Sequence, residues 1–429
     1  MKPAVFYKFL LIAVLCIPGT PLSSKAYSVL THEAIIDALW EKSIQPLLKL
    51  KYPGATEKQL KEAHSYAYGG AIAPDMGYFP FGSRLFTDLV HYVRSGDFVN
   101  ALLEEAKDLN EYAFALGFLS HYLADKDGHS LGTNRCVPIV YPMTMEKYGN
   151  LVTYEEDKIS HKRVEFSFDV LQTAKGNYAS EAYHDFIGFN VSRPVLERTF
   201  RKIYALDIND VFVNLSFSIK TFRWSVLSLF PLFTRTAWII KKDEIRQSQP
   251  TATSRSFQYR MGKANYYEEH GKKHKMPGFF TNALSWLIRV IPKVGPLKTL
   301  KIKEPGPEAE KLFIQSFDTV LANCTSSMKT LVSGNSNFTN IDFDTGNNTV
   351  RGEYKLADRN YGYLLLKIRK KNFNFLTPGL KLNILDFYSN PDLTTDTKKN
   401  PKQWGKITNA LEQLKISQTS TYTIQLINQ

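Results

Sequence analysis

Residues 118–130 read FLSHYLADKDGHS and place two histidines and an aspartate at steps of four residues: His121, Asp125 and His129. The apolar residues among them continue a helical pattern that begins near residue 98. Residues four apart lie on one face of a helix, so His121 and Asp125 can reach one point in space. Imidazole nitrogens and carboxylate oxygens are the ligands that a divalent metal such as zinc needs. The stretch therefore predicts a helix that presents metal ligands.

A second stretch repeats the same step. Residues 160–174 read SHKRVEFSFDVLQTA, an amphipathic pattern with Ser160 in the position of an N-cap. His161 and Glu165 are again four residues apart. A lone pair of this kind is more often a surface ion pair, but ligand types on two helices and their connection favour a metal centre.

The rest of the pattern predicts an all-α, multi-helix fold. Residues 32–50 carry apolar residues at helical spacing after Thr31, and Pro53-Gly54 ends that helix. Residues 74–83, PDMGYFPFGS, are rich in Pro and Gly and predict a loop that carries Asp75. Residues 306–324 and 361–375 are further helix candidates.

The first 26 residues are typical of a secretory signal peptide. Lys2 and Lys8 supply positive charge, residues 9–17 form an apolar run, and small residues precede a cleavage point after Ala26. Nine apolar residues are too few to span a bilayer, so we expect cleavage rather than an anchor. This predicts a secreted or periplasmic protein.

Histidines, basic residues and aromatic residues are distributed unevenly along the chain. Of 429 residues, 43% are hydrophobic, which supports a packed core, and seven of nine histidines lie between positions 27 and 210. Residues 211–300 contain 15 Lys/Arg against four Asp/Glu, together with many aromatic residues. We therefore expect five parts: a signal peptide (1–26), a helical domain that carries the candidate metal ligands (27–210), a basic aromatic-rich segment (211–300), a C-terminal helical region (301–390) and a polar tail (391–429).

Signal cleavage has a second consequence. It would leave Tyr27 as the first residue, five positions before His32. A free α-amine has a pKa of roughly 8, so a metal can displace its proton, and the amine and the Tyr27 carbonyl oxygen would form a five-membered chelate. The alternative is that Tyr27 simply begins a frayed segment.

In this order, the candidate ligands resemble those of the bacterial zinc-dependent phospholipases C, which are distantly related to trinuclear-zinc nucleases. The resemblance covers about residues 27–200 and implies three Zn²⁺ ions. The first would be held by Asp75, His91, His121 and Asp125; the second by His129, His161 and Glu165; the third by the Tyr27 amine and carbonyl with His32, with Asp125 as the bridge to the first.

The chain departs from the family pattern at three positions. Tyr27 stands where the family usually has Trp, although main-chain atoms would bind the metal. His129 follows Asp125 by four residues where the family usually has six. Leu30 replaces an acid of the choline-preferring members, so choline recognition is not expected.

The function that this resemblance implies is hydrolysis of a phospholipid phosphodiester by a zinc-activated hydroxide, with Asp75 to orient or deprotonate the water. One alternative is a trinuclear-zinc nuclease that acts on single-stranded nucleic acid; Glu165 favours the phospholipases, since those nucleases usually carry Asp there. A second alternative is a non-catalytic, zinc-stabilised helical binding module. Residues 211–300 would either contact a membrane surface or pack on the catalytic domain with their basic side in solvent.

Other polar residues are expected to lie outside the ligand set. His64 is expected in the core or behind a ligand, His184 beside Asp185, and His270 and His274 in solvent. Asp127 would replace Asp125 only if the helix register differed. Cys136 and Cys324 allow one disulfide, which the sequence leaves open.

Overall fold

The computed structural model describes residues 28–175, 177–178, 187–226, 243, 246–247, 302–334, 337–390 and 400–420. Within these ranges the chain is helical, and the β pairing found there is an isolated bridge between Ile341 and Asn348. The predicted all-α fold is therefore confirmed. No helix in the described ranges has both the length and the apolar character needed to cross a membrane.

The N-terminal half contains eleven α-helices among the described residues. They are α1 (Val29–Leu39), α2 (Gln45–Lys51), α3 (Glu57–Ile72), α4 (Arg84–Tyr92), α5 (Ser95–Glu105), α6 (Leu109–Asp127), α7 (Asn134–Val140), α8 (Pro142–Tyr148), α9 (Lys158–Ala174), α10 (Arg193–Tyr204) and α11 (Leu215–Trp224). Two π-helical segments, Trp40–Ile44 and Gly128–Thr133, and two 3₁₀ segments, Ala73–Tyr78 and Ile208–Asp210, join or extend them.

Helices α3 and α6 form the centre of the N-terminal half, and glycines let them approach closely. A Cβ atom on Gly70 would lie 1.9 Å from the Phe114 carbonyl oxygen, and one on Gly117 would lie 2.0 Å from the Ala67 oxygen. Only glycine allows backbones to meet at this distance. The contact fixes α6, which carries His121 and Asp125, against the end of α3.

Local capping groups move several helix boundaries away from the sequence expectation. The apolar pattern from residue 98 to 125 is split into α5 and α6, because Asp108 caps α6 by accepting a hydrogen bond from Glu111 N at 2.9 Å. Helix α9 begins at Lys158, since Asp157 and not Ser160 is its N-cap and accepts from Ser160 N at 2.9 Å.

The C-terminal region packs against the N-terminal half. It contains α12 (Gly306–Val332), α13 (Lys355–Lys370), α14 (Pro378–Phe387) and α15 (Pro401–Ile416). Helix α15 lies inside the expected polar tail, and its buried face of Ile407, Ala410 and Leu414 packs on α13. These three residues have helical spacing, but their apolar stripe is narrow in a polar segment.

Some expectations fall outside the described residues. They concern the signal peptide, Tyr27, His184, His270, His274 and most of residues 211–300. Cys136 and Cys324 are both buried and are free cysteines, not a disulfide. Cys136 Sγ instead donates to the Ala309 carbonyl oxygen at 3.3 Å.

Candidate metal centre

In the part of the chain that the structure describes, three groups of buried His and carboxylate side chains have geometry suited to a metal ion. Their members are Asp75, His91 and His121 (the Asp75 group); His32, His121 and Asp125 (the His32 group); and His129, His161 and Glu165 (the Glu165 group). In each group the ligand atoms lie within 4.8 Å of one another. Zinc bonds of about 2.0–2.1 Å in a tetrahedron put neighbouring ligand atoms roughly 3.4 Å apart, so these separations suit one ion per group. Apart from Tyr27, every residue proposed as a ligand is brought into one of the groups.

Asp125 faces two groups at once. Its Oδ1 lies 3.4 Å from His32 Nε2, while its Oδ2 lies 3.1 Å from His121 Nε2 and 3.5 Å from His91 Nε2. A carboxylate whose two oxygens point to different sets of nitrogens has the geometry of a bridge between two cations. Asp127 cannot take this place, because it lies on another face of the helix and its Oδ2 accepts from Asn323 Nδ2 at 2.7 Å.

Asp75 reaches the centre from the 3₁₀ segment Ala73–Tyr78, which Thr87 of helix α4 holds in place. The Thr87 hydroxyl donates to the Pro74 carbonyl oxygen at 2.6 Å and accepts from Gly77 N at 2.8 Å. Asp75 Oδ1 then lies 3.5 Å from His91 Nε2, one turn further along α4. The sequence predicted a loop here, and the structure has a tight 3₁₀ turn.

Backbone carbonyl oxygens set the tautomer of two histidines. His91 Nδ1 lies 2.8 Å from the Thr87 carbonyl oxygen, and His121 Nδ1 lies 2.7 Å from the Ala71 carbonyl oxygen. A carbonyl oxygen only accepts, so each Nδ1 carries the proton and each Nε2 keeps its lone pair towards the carboxylates. Burial also lowers the pKa of His121, which favours the neutral imidazole that binds a metal.

The short interval before His129 has a structural explanation. Helix α6 ends at Asp127, and residues Gly128–Thr133 form a π-helical turn. The wider turn changes the direction of the side chain, so His129 does not continue the face of His121 and Asp125. Its Nε2 instead lies 4.0 Å from Glu165 Oε1, and its ring lies 5.0 Å from that of His161.

The Glu165 group has a carboxylate that fits a bound cation. Glu165 is 2% exposed, and neither of its oxygens accepts a hydrogen bond from the described residues. Oε1 lies 2.7 Å from His161 Nδ1. Burial, and then the charges of Asp75 and Asp125, raise the pKa of Glu165 well above its usual value. A buried carboxylate without hydrogen bonds is costly unless a cation neutralises it, so the residues present fit a metal.

Two residues of this site escaped the sequence analysis. Asp344 Oδ1 lies 3.2 Å from His129 Nδ1, and Asn134 Oδ1 lies 2.8 Å from His161 Nε2. Asp344 is 179 positions after Glu165 in sequence, and no periodic pattern connects it with the histidines. Asn134 follows the ligand cluster directly, but an isolated Asn has no distinguishing signal.

Neighbouring polar groups lie around the ligands. Arg84 Cζ lies 4.7 Å from the Tyr78 ring, and its Nη2 donates to Tyr154 Oη at 3.3 Å. These rings contact His91 and His161, respectively, edge-on. His64 is buried and stacks on Trp40 at 3.8 Å, so its expected place outside the ligand set agrees with the structure.

Comparison with known proteins agrees with this geometry. Residues 31–212 match the family model described as zinc dependent phospholipase C. This part of the chain is similar to that family, and the matched boundaries enclose the candidate ligands from His32 to Glu165. The family supports a phospholipase C-type hydrolase that uses Zn²⁺. No curated protein and no solved structure shows significant similarity to the chain.

Proposed function

We propose that this protein hydrolyses the phosphodiester bond of phospholipids on the glycerol side, as a phospholipase C, with three Zn²⁺ ions. The observation that carries the proposal is Asp125, whose two oxygens face His32 on one side and His91 with His121 on the other. Adjacent cations joined by such a bridge suit phosphoryl transfer better than structural stabilisation, since structural zinc sites are closed and usually contain thiolates.

Each of the three ions would be bound by a different set of residues. One ion would be held by the Asp75 group with Asp125, a second by the Glu165 group, and a third by His32 and Asp125 with the Tyr27 amine and carbonyl. Zinc in this setting lowers the pKa of water towards neutrality and neutralises charge on a phosphoryl group. Asp75, held against α4 by Thr87, would orient the attacking water and accept its proton.

Arg84 would help to hold the phosphate. It is a permanent cation, and its ring neighbours Tyr78 and Tyr154 contact histidines of two different ligand groups. A guanidinium beside such a centre favours an anionic phosphodiester through charge and directed N–H groups.

An exposed aromatic pair beside the Asp75 segment supports contact with a lipid surface. Phe81 is 61% exposed and Phe217 of helix α11 is 45% exposed, and their rings lie 4.8 Å apart. Phe81 has φ of 64°, a left-handed conformation that is unfavourable for a bulky residue. Ser218 Oγ fixes it by donating to the Phe81 carbonyl oxygen at 2.5 Å. The fold thus maintains strain that presents an apolar ring to the outside, beside the segment that carries Asp75.

Processing and export belong to the same proposal. Cleavage after Ala26 would release the protein as a secreted or periplasmic protein and expose the Tyr27 amine. Helix α1 is fixed nearby, since buried Asp169 accepts from Leu30 N at 3.2 Å and from Thr31 Oγ1 at 2.8 Å. Such an anchor would hold the new N-terminus close to His32.

A paired substrate assay tests the function. Purified protein that begins at Tyr27 is given phospholipid vesicles or single-stranded DNA, each with and without a zinc chelator. The proposal predicts release of diacylglycerol and a phosphorylated head group, loss of both with chelator, and recovery with Zn²⁺. Cleavage of DNA without lipid hydrolysis would establish the nuclease alternative, and zinc binding without either activity would establish the binding module.

Lipid contact is tested by Phe81→Asn, which removes the ring and suits the left-handed conformation. Roughly 100 Å² of apolar surface that enters lipid stabilises binding by about 2–3 kcal/mol, so vesicle affinity should fall on the order of 10- to 100-fold. The rate on a short-chain, water-soluble substrate should not change. Phe375→Asn is the matched control, because Phe375 is also exposed and has φ of 63°. An equal loss in both variants, or none in either, would count against lipid contact at Phe81.

A further inference from the structure

A segment of the C-terminal region lies directly on the N-terminal metal centre. We call residues 338–354 the strap. The Ile341 carbonyl oxygen accepts from Ser95 Oγ at 2.6 Å, and Phe343 N donates to the His91 carbonyl oxygen at 3.2 Å. The Phe343 ring lies 4.8 Å from the ring of His91. About 250 residues of sequence separate these partners, yet they form one continuous core.

The strap places Asp344 behind the Glu165 group. Asp344 is fully buried, and its Oδ1 lies 3.2 Å from His129 Nδ1. Its Oδ2 accepts from two phenols, Tyr92 Oη at 3.0 Å and Tyr354 Oη. Its carboxylate is therefore fixed on one side by tyrosines and turned on the other side to the histidine.

Asn134 connects the main chain of Asp344 to His161, the other histidine of the Glu165 group. Asn134 Nδ2 donates to the Asp344 carbonyl oxygen at 2.6 Å, which identifies the amide oxygen as the atom that faces His161. That oxygen lies 2.8 Å from His161 Nε2 and can only accept, so Nε2 carries the proton. His161 then has its lone pair on Nδ1, the atom that lies 2.7 Å from Glu165.

We propose that Asp344 and Asn134 are positioning residues that set opposite tautomers in the two histidines of the Glu165 group. Asp344 holds the proton of His129 on Nδ1 and leaves Nε2 for the metal, whereas Asn134 holds the proton of His161 on Nε2 and leaves Nδ1. A neutral imidazole has one lone pair, and the group on its far side determines which nitrogen carries it. The C-terminal region is thus part of the metal centre rather than an appended domain. This inference rests on the zinc site of the proposed function but not on its substrate.

The variant Asp344→Asn tests the role of the carboxylate. If the new amide oxygen stays with the tyrosine hydroxyls, its NH₂ faces His129 Nδ1 and favours the tautomer that cannot bind through Nε2. We expect the affinity for one of the three ions to fall 10- to 100-fold, measured as zinc per chain by mass spectrometry during titration with chelator. The two other ions should be retained.

Asp342→Asn is the matched control on the same strap. Asp342 is also buried, but its side chain accepts from Thr345 and not from a histidine. Burial, followed by the charge of Glu353, raises the pKa of Asp342 to about 8, so the loss of its charge is a mild change at neutral pH. This variant should keep all three ions with unchanged affinity. Full zinc affinity in Asp344→Asn, or equal loss in both variants, would overturn the positioning role.

A measurement on the unaltered protein covers the case in which Asp344→Asn fails to fold. Long-range ¹H–¹⁵N correlation of histidine-labelled, zinc-loaded protein reports which ring nitrogen carries the proton. The proposal predicts Nδ1–H for His129 and Nε2–H for His161. The same tautomer in both rings would contradict it, whatever substrate the protein hydrolyses.

Discussion

Replacement of Gly117 by alanine tests the packing that positions the first ligands. The new Cβ would lie 2.0 Å from the Ala67 carbonyl oxygen and 2.9 Å from Ala71 N, where ordinary contact begins near 3.4 Å. Helices α3 and α6 must therefore separate by more than about 1 Å, since the opposing atoms are backbone and cannot rotate away. The same movement lengthens the 2.7 Å contact from His121 Nδ1 to the Ala71 carbonyl oxygen.

The change in the free energy of unfolding of Gly117→Ala is the sum of two destabilising contributions and one stabilising contribution. Overpacking costs about 1–3 kcal/mol, and loss of the His121 hydrogen bond adds about 1 kcal/mol. Alanine regains about 1 kcal/mol of helix propensity. The net destabilisation should be about 1–3 kcal/mol, which at roughly 2–4 °C per kcal/mol lowers the thermal midpoint by several degrees.

Gly405→Ala in helix α15 is the control, because a Cβ there meets no atom within 4 Å. It should stabilise the protein by up to about 1 kcal/mol, from helix propensity alone. Thermal unfolding and zinc content are measured for both variants at equal zinc concentration. If Gly117→Ala is as stable as Gly405→Ala and keeps its zinc, the close contact of α3 and α6 does not position the site.

Three further predictions concern the ligands and the N-terminus. Asp125→Asn should lose at least one zinc per chain and at least 100-fold in hydrolysis rate, because one carboxylate serves two groups; full zinc content with a normal rate would refute its bridging role. A chain with extra residues before Tyr27 should lose the third ion, as counted by mass spectrometry, and normal occupancy there would exclude the α-amine as a ligand. Burial raises the pKa of Asp169 to about 7, so the folded state favours the protonated carboxyl. The contribution of this carboxyl to the free energy of unfolding is lost as pH rises from about 4 to 7, because the unfolded chain releases the proton first. Asp169→Asn should flatten that part of the pH–stability curve, and an unchanged slope between these pH values would refute the assignment.

The helical repeat in the sequence was sufficient to pair the candidate ligands that lie on regular helices. His121 with Asp125 and His161 with Glu165 are set by the helical repeat alone, and the structure brings each pair together at 3.1 and 2.7 Å. The repeat fails at His129, because the π-helical turn after Asp127 depends on packing that a count of residues cannot reveal.

Asp344 could not be found from the sequence for a different reason. Its place beside His129 depends on the strap crossing between α4 and α7, a long-range contact made through Ser95, Phe343 and Asn134. Helix boundaries show the same limit on a smaller scale. Asp108 and Asp157 have ordinary capping chemistry, but a continuous apolar pattern and a nearby serine were stronger signals in the sequence.

Anomalous diffraction at the zinc absorption edge, from crystals of protein that begins at Tyr27, tests the central claim most directly. The account predicts three peaks beside one another: one between Asp75 and Asp125, one at the Glu165 group, and one between His32 and the N-terminal amine. A single isolated peak, or peaks remote from Asp125, would contradict the three-zinc centre.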